Sequence, residues 1–385
     1  MSKNYAGRFF ITAAAILMCV SGISVSAAVP DNIPFDINAD SAVLMEAETG
    51  TVLYAKNADL ALPPASVTKI MALLLFMEEV ESGSISLEDR LTVSEYAASM
   101  GGSQVYLEPG ENMTAEELLK CVIIASANDA AVTLAENTAG SEEAFVSRMN
   151  EKAAELGMVN TNFENVTGLD DDTTKHLTSA YDIALMSREL IRHETILKYS
   201  TIWMDSIRNG SFGLTNTNRL IRFYNGATGL KTGSTSKAGF CMSATAKRDG
   251  MHLIAVIMGA DTRDIRNECA RQLLDYGFSG YSLYRNEGGI AGEAEILGGV
   301  KDRCQGTYEP FAVLLPKGKS KSVQPEILFD SVLEAPIEKG SRIGTVRYIC
   351  GEEILAESEI TAAESVEKIG FFRLFEKMLG IFCLK

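Results

Sequence analysis

The stretch Pro63-Pro64-Ala65-Ser66-Val67-Thr68-Lys69-Ile70-Met71-Ala72-Leu73-Leu74-Leu75-Phe76-Met77 reads as a helix that starts directly after a chain break. The paired prolines interrupt regular structure, residues 70–77 are an unbroken apolar run, and residues 78–83 close it with a polar, Gly-terminated end. Ser66 and Lys69, three positions apart, then share one face of the first turn. A hydroxyl and an amine so placed can work as nucleophile and base, but only if the amine is free. An ordinary lysine titrates near about 10.4, so Lys69 has to be moved toward neutrality at a cost of about 4 kcal/mol. Burial, the positive end of the helix and a second nearby cation all act in that direction. Taken alone, the pair far more often describes a Ser N-cap followed by a solvated lysine.

Two further motifs follow in order, Ser126-Ala127-Asn128 and Lys231-Thr232-Gly233, and each supplies a part the first lacks. Ser-x-x-Lys, Ser-x-Asn and Lys-Thr-Gly together resemble the signature of penicillin-binding proteins and serine β-lactamases. The surrounding residues narrow the resemblance. Ala125-Ser126-Ala127-Asn128-Asp129, Gly168-Leu169-Asp170, His176-Leu177-Thr178-Ser179 and Gly229-Leu230-Lys231-Thr232-Gly233 are similar to the low-molecular-mass D-alanyl-D-alanine carboxypeptidases, serine peptidases of the S11 family, over roughly residues 35 to 280.

That resemblance implies an acyl-enzyme on Ser66 with Lys69 as base, formed as the terminal D-alanine leaves a peptidoglycan stem peptide. It implies that Ser126 relays a proton to the leaving amine, that Asn128 binds substrate and orients Lys69, and that Lys231 and Thr232 face the substrate carboxylate. The oxyanion donors it implies are the backbone N–H groups of Ser66 and Ser234, each worth about 3 to 4 kcal/mol in the transition state. Gly233 is expected to give substrate room against its strand. β-Lactams are implied as covalent inhibitors, and the expected role is cell-wall maturation, in growth or sporulation, with no cofactor. Relatives often carry His where this chain has Ser234 and Thr167. A serine β-lactamase is the alternative enzyme, yet no matching deacylating Glu lies between Asn128 and Lys231. A non-catalytic penicillin-sensing or wall-binding module is the other alternative, disfavoured because every motif residue is present. Asp170 fits either the cleft or a solvated acidic loop with Asp171 and Asp172. His176 reads as structural.

A chain of 385 residues is long enough for two domains. Residues 1–28 read as an export signal: Lys3 and Arg8, an apolar stretch, then Ser24-Val25-Ser26-Ala27-Ala28, with the mature chain starting near Ala28 or Val29. Losing that leader takes the net charge from −16 to −18, which argues against a nucleic-acid partner. Seven scattered cysteines form no disulfide framework or CxxC pair, and three histidines without ligand spacing give no support for a metal.

Residues 29–280 read as an α/β (α+β) catalytic domain, β-lactamase-like by resemblance, with an antiparallel sheet flanked by helices. Residues 42–54 form two short strands at the sheet edge, joined at a Glu-Thr-Gly turn. A helix opens at the Thr114-Ala115-Glu116-Glu117 capping box and sets Ser126 and Asn128 beyond its end. Helices are expected over residues 129–139, 142–156, 179–191 and 263–278, and a β-hairpin over 238–260 beside the Lys-Thr-Gly strand. Residues 281–362 change character, with Gly-punctuated alternating stretches that suggest a small all-β sandwich. Residues 363–385 end in an amphipathic helix. Its apolar arc carries Phe371, Phe372, Leu374, Phe375, Met378, Leu379, Ile381 and Phe382. The segment from Glu364 onward has four basic and three acidic residues, which suits attachment to a membrane surface and not a span. The expected location is extracytoplasmic, peripheral on the outer face of the cytoplasmic membrane.

Overall fold

A computed structural model describes residues 35–383 apart from Asp172. The expected export signal, its cleavage point, and Asp172 therefore lie outside the described residues.

The catalytic domain is organised on one antiparallel sheet. Its strands are β1 (Ser41–Glu46), β2 (Val52–Lys56), β3 (Ala227–Thr235), β4 (Gly239–Arg248) and β5 (Met251–Ala260). Across the sheet the order is β2-β1-β5-β4-β3, so the first hairpin is one edge and the Lys-Thr-Gly strand the other. Side chains alternate across a strand, and here both faces are covered. Val43, Met45, Ile254 and Val256 enter the larger core, while Ala42, Leu44, Leu253 and Ala255 pack with the helix Arg263–Gly280.

The larger core holds the helices that carry chemistry. The nucleophile segment is a 3-10 turn, Ala65–Thr68, running into α1 (Lys69–Glu81), so Ser66 sits one turn before the regular helix and not within it. Helix α2 (Ala115–Ala125) carries both halves of the expected capping box at Thr114 and Glu117. It ends at Ser126 and is followed by α3 (Asn128–Ala139), α4 (Glu142–Glu155) and α5 (Ala180–Leu190), the last capped by the Ser179 hydroxyl. The helix Arg263–Gly280 is α6.

Strand Tyr281–Asn286 follows α6 without a linker and pairs with Phe311–Pro316. A five-stranded antiparallel sheet completes the all-β domain. Between them lies a core with Val346, Tyr348 and Val313, in which Phe311 stacks on Tyr348 at 4.1 Å. Leu314 reaches into the catalytic core, and Arg285 pairs with Glu48, which joins the domains. Helix α7 (Phe371–Cys383) ends the described chain. Its Phe371, Phe372, Leu374, Phe375, Met378 and Leu379 are all exposed. No helix among the described residues is long and apolar enough to cross a membrane.

Candidate active site

Ser66, Ser126, Thr232, Gly233 and Ser234 line one cleft of about 610 Å³ between the sheet edge and the helices. The turn bearing Ser66 is held from beneath. Thr68 Oγ1 donates to the Ala65 carbonyl at 2.8 Å, and His176 Nε2 lies 2.8 Å from the same hydroxyl. The backbone N–H of Glu164 donates to His176 Nδ1, which leaves Nε2 as the protonated nitrogen, able to donate to Thr68. Burial pushes His176 down to about 4, so the ring is neutral at working pH. The structural reading of His176 is the one these contacts describe.

Lys69 is fully buried, 0% exposed, with Nζ 2.9 Å from Ser66 Oγ and donating to the Thr167 carbonyl at 2.8 Å. Burial first, then the charge of Lys231, holds Lys69 well below the ordinary lysine range. Two of the three influences anticipated from sequence are therefore present as named groups.

Ser126 caps α2 with φ of +64°, a left-handed conformation costing a non-glycine residue on the order of 1 kcal/mol. Strain of this kind at a cleft residue is what a functional constraint produces. It turns Oγ toward Lys231, whose Nζ donates to it at 2.7 Å and to the Thr232 carbonyl at 2.8 Å. Lys231 is 1% exposed, and its side chain runs to Ser126. Burial, then Arg266, pushes Lys231 down to about 7.

Asn128 Nδ2 donates to the Gly101 carbonyl at 2.7 Å, while Oδ1 is buried and has no partner among the described residues. The Thr167 carbonyl is the second partner of Lys69. Gly233 is packed closely on the nucleophile turn. A Cβ there would come within 2.8 Å of Ser66 N and 2.9 Å of Pro64 O, so the missing side chain lets the nucleophile turn dock on β3. The same contact sets the Ser66 amide beside the residue that precedes Ser234. Gly168 has φ of +80°, and a Cβ on it would strike the Ala65 carbonyl at 1.8 Å. Asp170 is buried; it accepts from Thr235 Oγ1 at 2.5 Å and its carbonyl accepts from Lys237. Asp170 is therefore not part of a solvated acidic loop, but braces the end of β3.

Several cleft residues escaped sequence reasoning. Thr217 Oγ1 accepts from Thr232 Oγ1 at 2.8 Å, and Trp203, Arg219, Phe223 and Arg266 form the far wall. Arg266 is 3% exposed. Its hydrogen bonds go to Asn267 Oδ1 and the Cys241 carbonyl, and no carboxylate pairs with it among the described residues. Arg263 and Arg266 at i and i+3 on α6 were a visible signal of a shared cationic face. The Trp203 to Phe223 segment carries no motif at all.

Fold and motif convergence define a penicillin-binding type of serine hydrolase. The family profile described as D-alanyl-D-alanine carboxypeptidase matches residues 24–262, and that of the penicillin-binding protein 5 C-terminal domain matches residues 286–368. The D-alanyl-D-alanine carboxypeptidase DacF of Bacillus subtilis is 45% identical over 349 residues, 89% of each chain. DacC of Escherichia coli is 33% identical, covering 87% of this chain and 86% of that protein. The crystal structure of penicillin-binding protein 5 from Haemophilus influenzae superposes with a TM-score of 0.76 at 29% identity, covering 88% of this chain and 100% of that one. The chain belongs to the D-alanyl-D-alanine carboxypeptidase family of penicillin-binding hydrolases.

Proposed function

We propose that the enzyme removes the terminal D-alanine from peptidoglycan stem peptides through an ester on Ser66. One observation carries this reading: Ser66 Oγ, at the cleft surface, lies 2.9 Å from a lysine nitrogen that is buried and pushed toward its free-amine form. As Ser66 attacks the carbonyl of the penultimate D-alanine, Lys69 takes its proton and keeps an N–H on the Thr167 carbonyl. The oxyanion falls to the amides of Ser66 and Ser234. Ser126, polarised by Lys231, passes a proton to the departing amine. Asn128 Oδ1, a buried acceptor in want of a donor, suits a substrate amide N–H.

The carboxylate of the leaving residue goes to Arg266, with the Thr232 and Thr217 hydroxyls beside it. A buried guanidinium keeps its charge, and one with no carboxylate partner favours an anionic ligand. The domain limits 29–280, 281–362 and 363–385 are retained as functional units. The all-β domain serves as a spacer, and α7 lies on the membrane surface through its exposed apolar side chains. The chain then works outside the cytoplasm, peripheral to the membrane. Purified protein given diacetyl-L-lysyl-D-alanyl-D-alanine should release alanine and turn over penicillin slowly. Rapid penicillin turnover would instead mark a β-lactamase, and inertness toward both a binding module.

A further inference from the structure

The cleft is larger than the two alanines flanking the scissile bond require, its 610 Å³ being the size of a site for a drug-sized ligand. With the reacting carbonyl at Ser66 and the carboxylate at Arg266, the leaving residue lies between them, against the far wall. That wall is not built of small residues that would stop at a methyl group. Trp203 and Phe223 meet edge to face at 6.3 Å, with the Arg222 guanidinium 5.6 Å from each ring. Phe223 is 71% exposed, and Trp203 Nε1 is buried without a partner among the described residues. Beyond them the wall does not close: a second groove of about 520 Å³ begins at the same Arg219 and Phe223 and follows α6 past Asn267 and Glu268.

We propose that this aromatic wall is a side-chain pocket for the leaving residue, and that the enzyme also releases terminal D-amino acids with large aromatic or apolar side chains from stem peptides. The inference rests on the carboxypeptidase reading above. The bonds are the same as with D-alanine. Ser66 Oγ bonds to the carbonyl carbon, the amide C–N bond breaks, and the nitrogen takes a proton and departs as the free D-amino acid. Water then cleaves the ester and restores the hydroxyl. A ring on the leaving residue adds offset or edge contacts to Trp203 and Phe223 before and during attack, so the gain belongs mainly to KM.

The test uses the purified protein with diacetyl-L-lysyl-D-alanyl-D-X peptides, X being alanine, leucine, phenylalanine or tryptophan, and measures release of X by chromatography. The expected result is release of D-phenylalanine and D-tryptophan with kcat/KM within about fivefold of that for D-alanine. Phe223→Ala should raise KM for those two peptides about fivefold relative to its effect on the D-alanine peptide, since one aromatic contact is lost, with circular dichroism showing that the variant is folded. Release of D-alanine with the aromatic peptides more than about a hundredfold slower overturns the pocket while the carboxypeptidase reading stands. An equal effect of Phe223→Ala on all four peptides likewise overturns it. Failure to release even D-alanine overturns the carboxypeptidase reading itself.

Discussion

Two serine–lysine pairs flank the cleft, and they are chemically alike but built in opposite ways. Ser66 and Lys69 are neighbours on one turn, 2.9 Å apart, whereas Ser126 and Lys231 come from a helix end and an edge strand and meet at 2.7 Å. Both lysines are buried and both are pushed down, Lys69 well below its ordinary range and Lys231 to about 7. Their second partners differ: Lys69 donates to a carbonyl on a distant loop, Lys231 to the carbonyl of its own neighbour, Thr232. A local pair is thus held by a remote contact, and a remote pair by a local one. Charge repulsion also links them, since Lys231 lowers Lys69. This suits one lysine working as a free amine and the other as an ammonium.

The largest expected effects break the local pair. Ser66→Ala should abolish covalent labelling by fluorescent penicillin; a labelled peptide mapped elsewhere would relocate the nucleophile. Lys69→Met should slow acylation by about a hundred- to ten-thousand-fold, the range for loss of a general base, with the fold intact by circular dichroism.

The remote pair is addressed through pH. A rate that needs Lys69 as free amine rises as pH climbs through its lowered pKa, and one that needs Lys231 as ammonium falls as pH passes about 7. The profile of kcat/KM should therefore be bell-shaped. Lys231→Met should lower the rate, remove the alkaline limb and, with its charge gone from beside Lys69, move the acid limb to higher pH; an alkaline limb that persists in this variant assigns that titration to another group.

Smaller effects concern the supports. Thr235→Val removes the hydroxyl that donates to the buried Asp170 carboxylate, so urea unfolding should show a loss of about 2 kcal/mol. His176 falls from 6.5 to about 4 in the fold, so the unfolded chain binds its proton first on acidification. Stability from this group is complete above 6.5 and drains as pH drops toward 4, on the order of 3 kcal/mol in all. Burial pushes His252 down to about 4 as well, so denaturation at stepped pH should show the slope of both rings, and His176→Gln should remove about half of it. Least of all should the chemistry notice removal of residues 370–385: peptide hydrolysis is expected unchanged while the protein moves from the membrane to the soluble fraction. Unaltered sedimentation with membranes would reject the role given to α7.

Much of the scaffold was legible because its signals are local. The β1–β2 hairpin, the capping box of α2, the β4–β5 hairpin and the extent of α6 follow from alternation, caps and turns within a dozen residues. The segment with Trp203 and Phe223 was silent because its short elements, such as Met204–Ile207 and Leu220–Phe223, carry too little periodicity to read. Orientation was the other gap. Motif order placed Lys231 at the cleft, but only the register of β3 against β4 and the placement of the α2 end bring its amine to Ser126.

By itself the sequence determined that Ser66 and Lys69 share a turn, the order of the motifs, and the change from a helix-rich to an all-β part, since each depends on side-chain spacing along one continuous segment. Tertiary structure alone decided how basic each lysine is, that Arg266 is buried without a carboxylate partner among the described residues, and why Gly233 and Gly168 have no side chain. Those properties come from desolvation and from contacts between distant segments, as with Gly233 against Ser66 N, 167 positions away, and no local pattern encodes them.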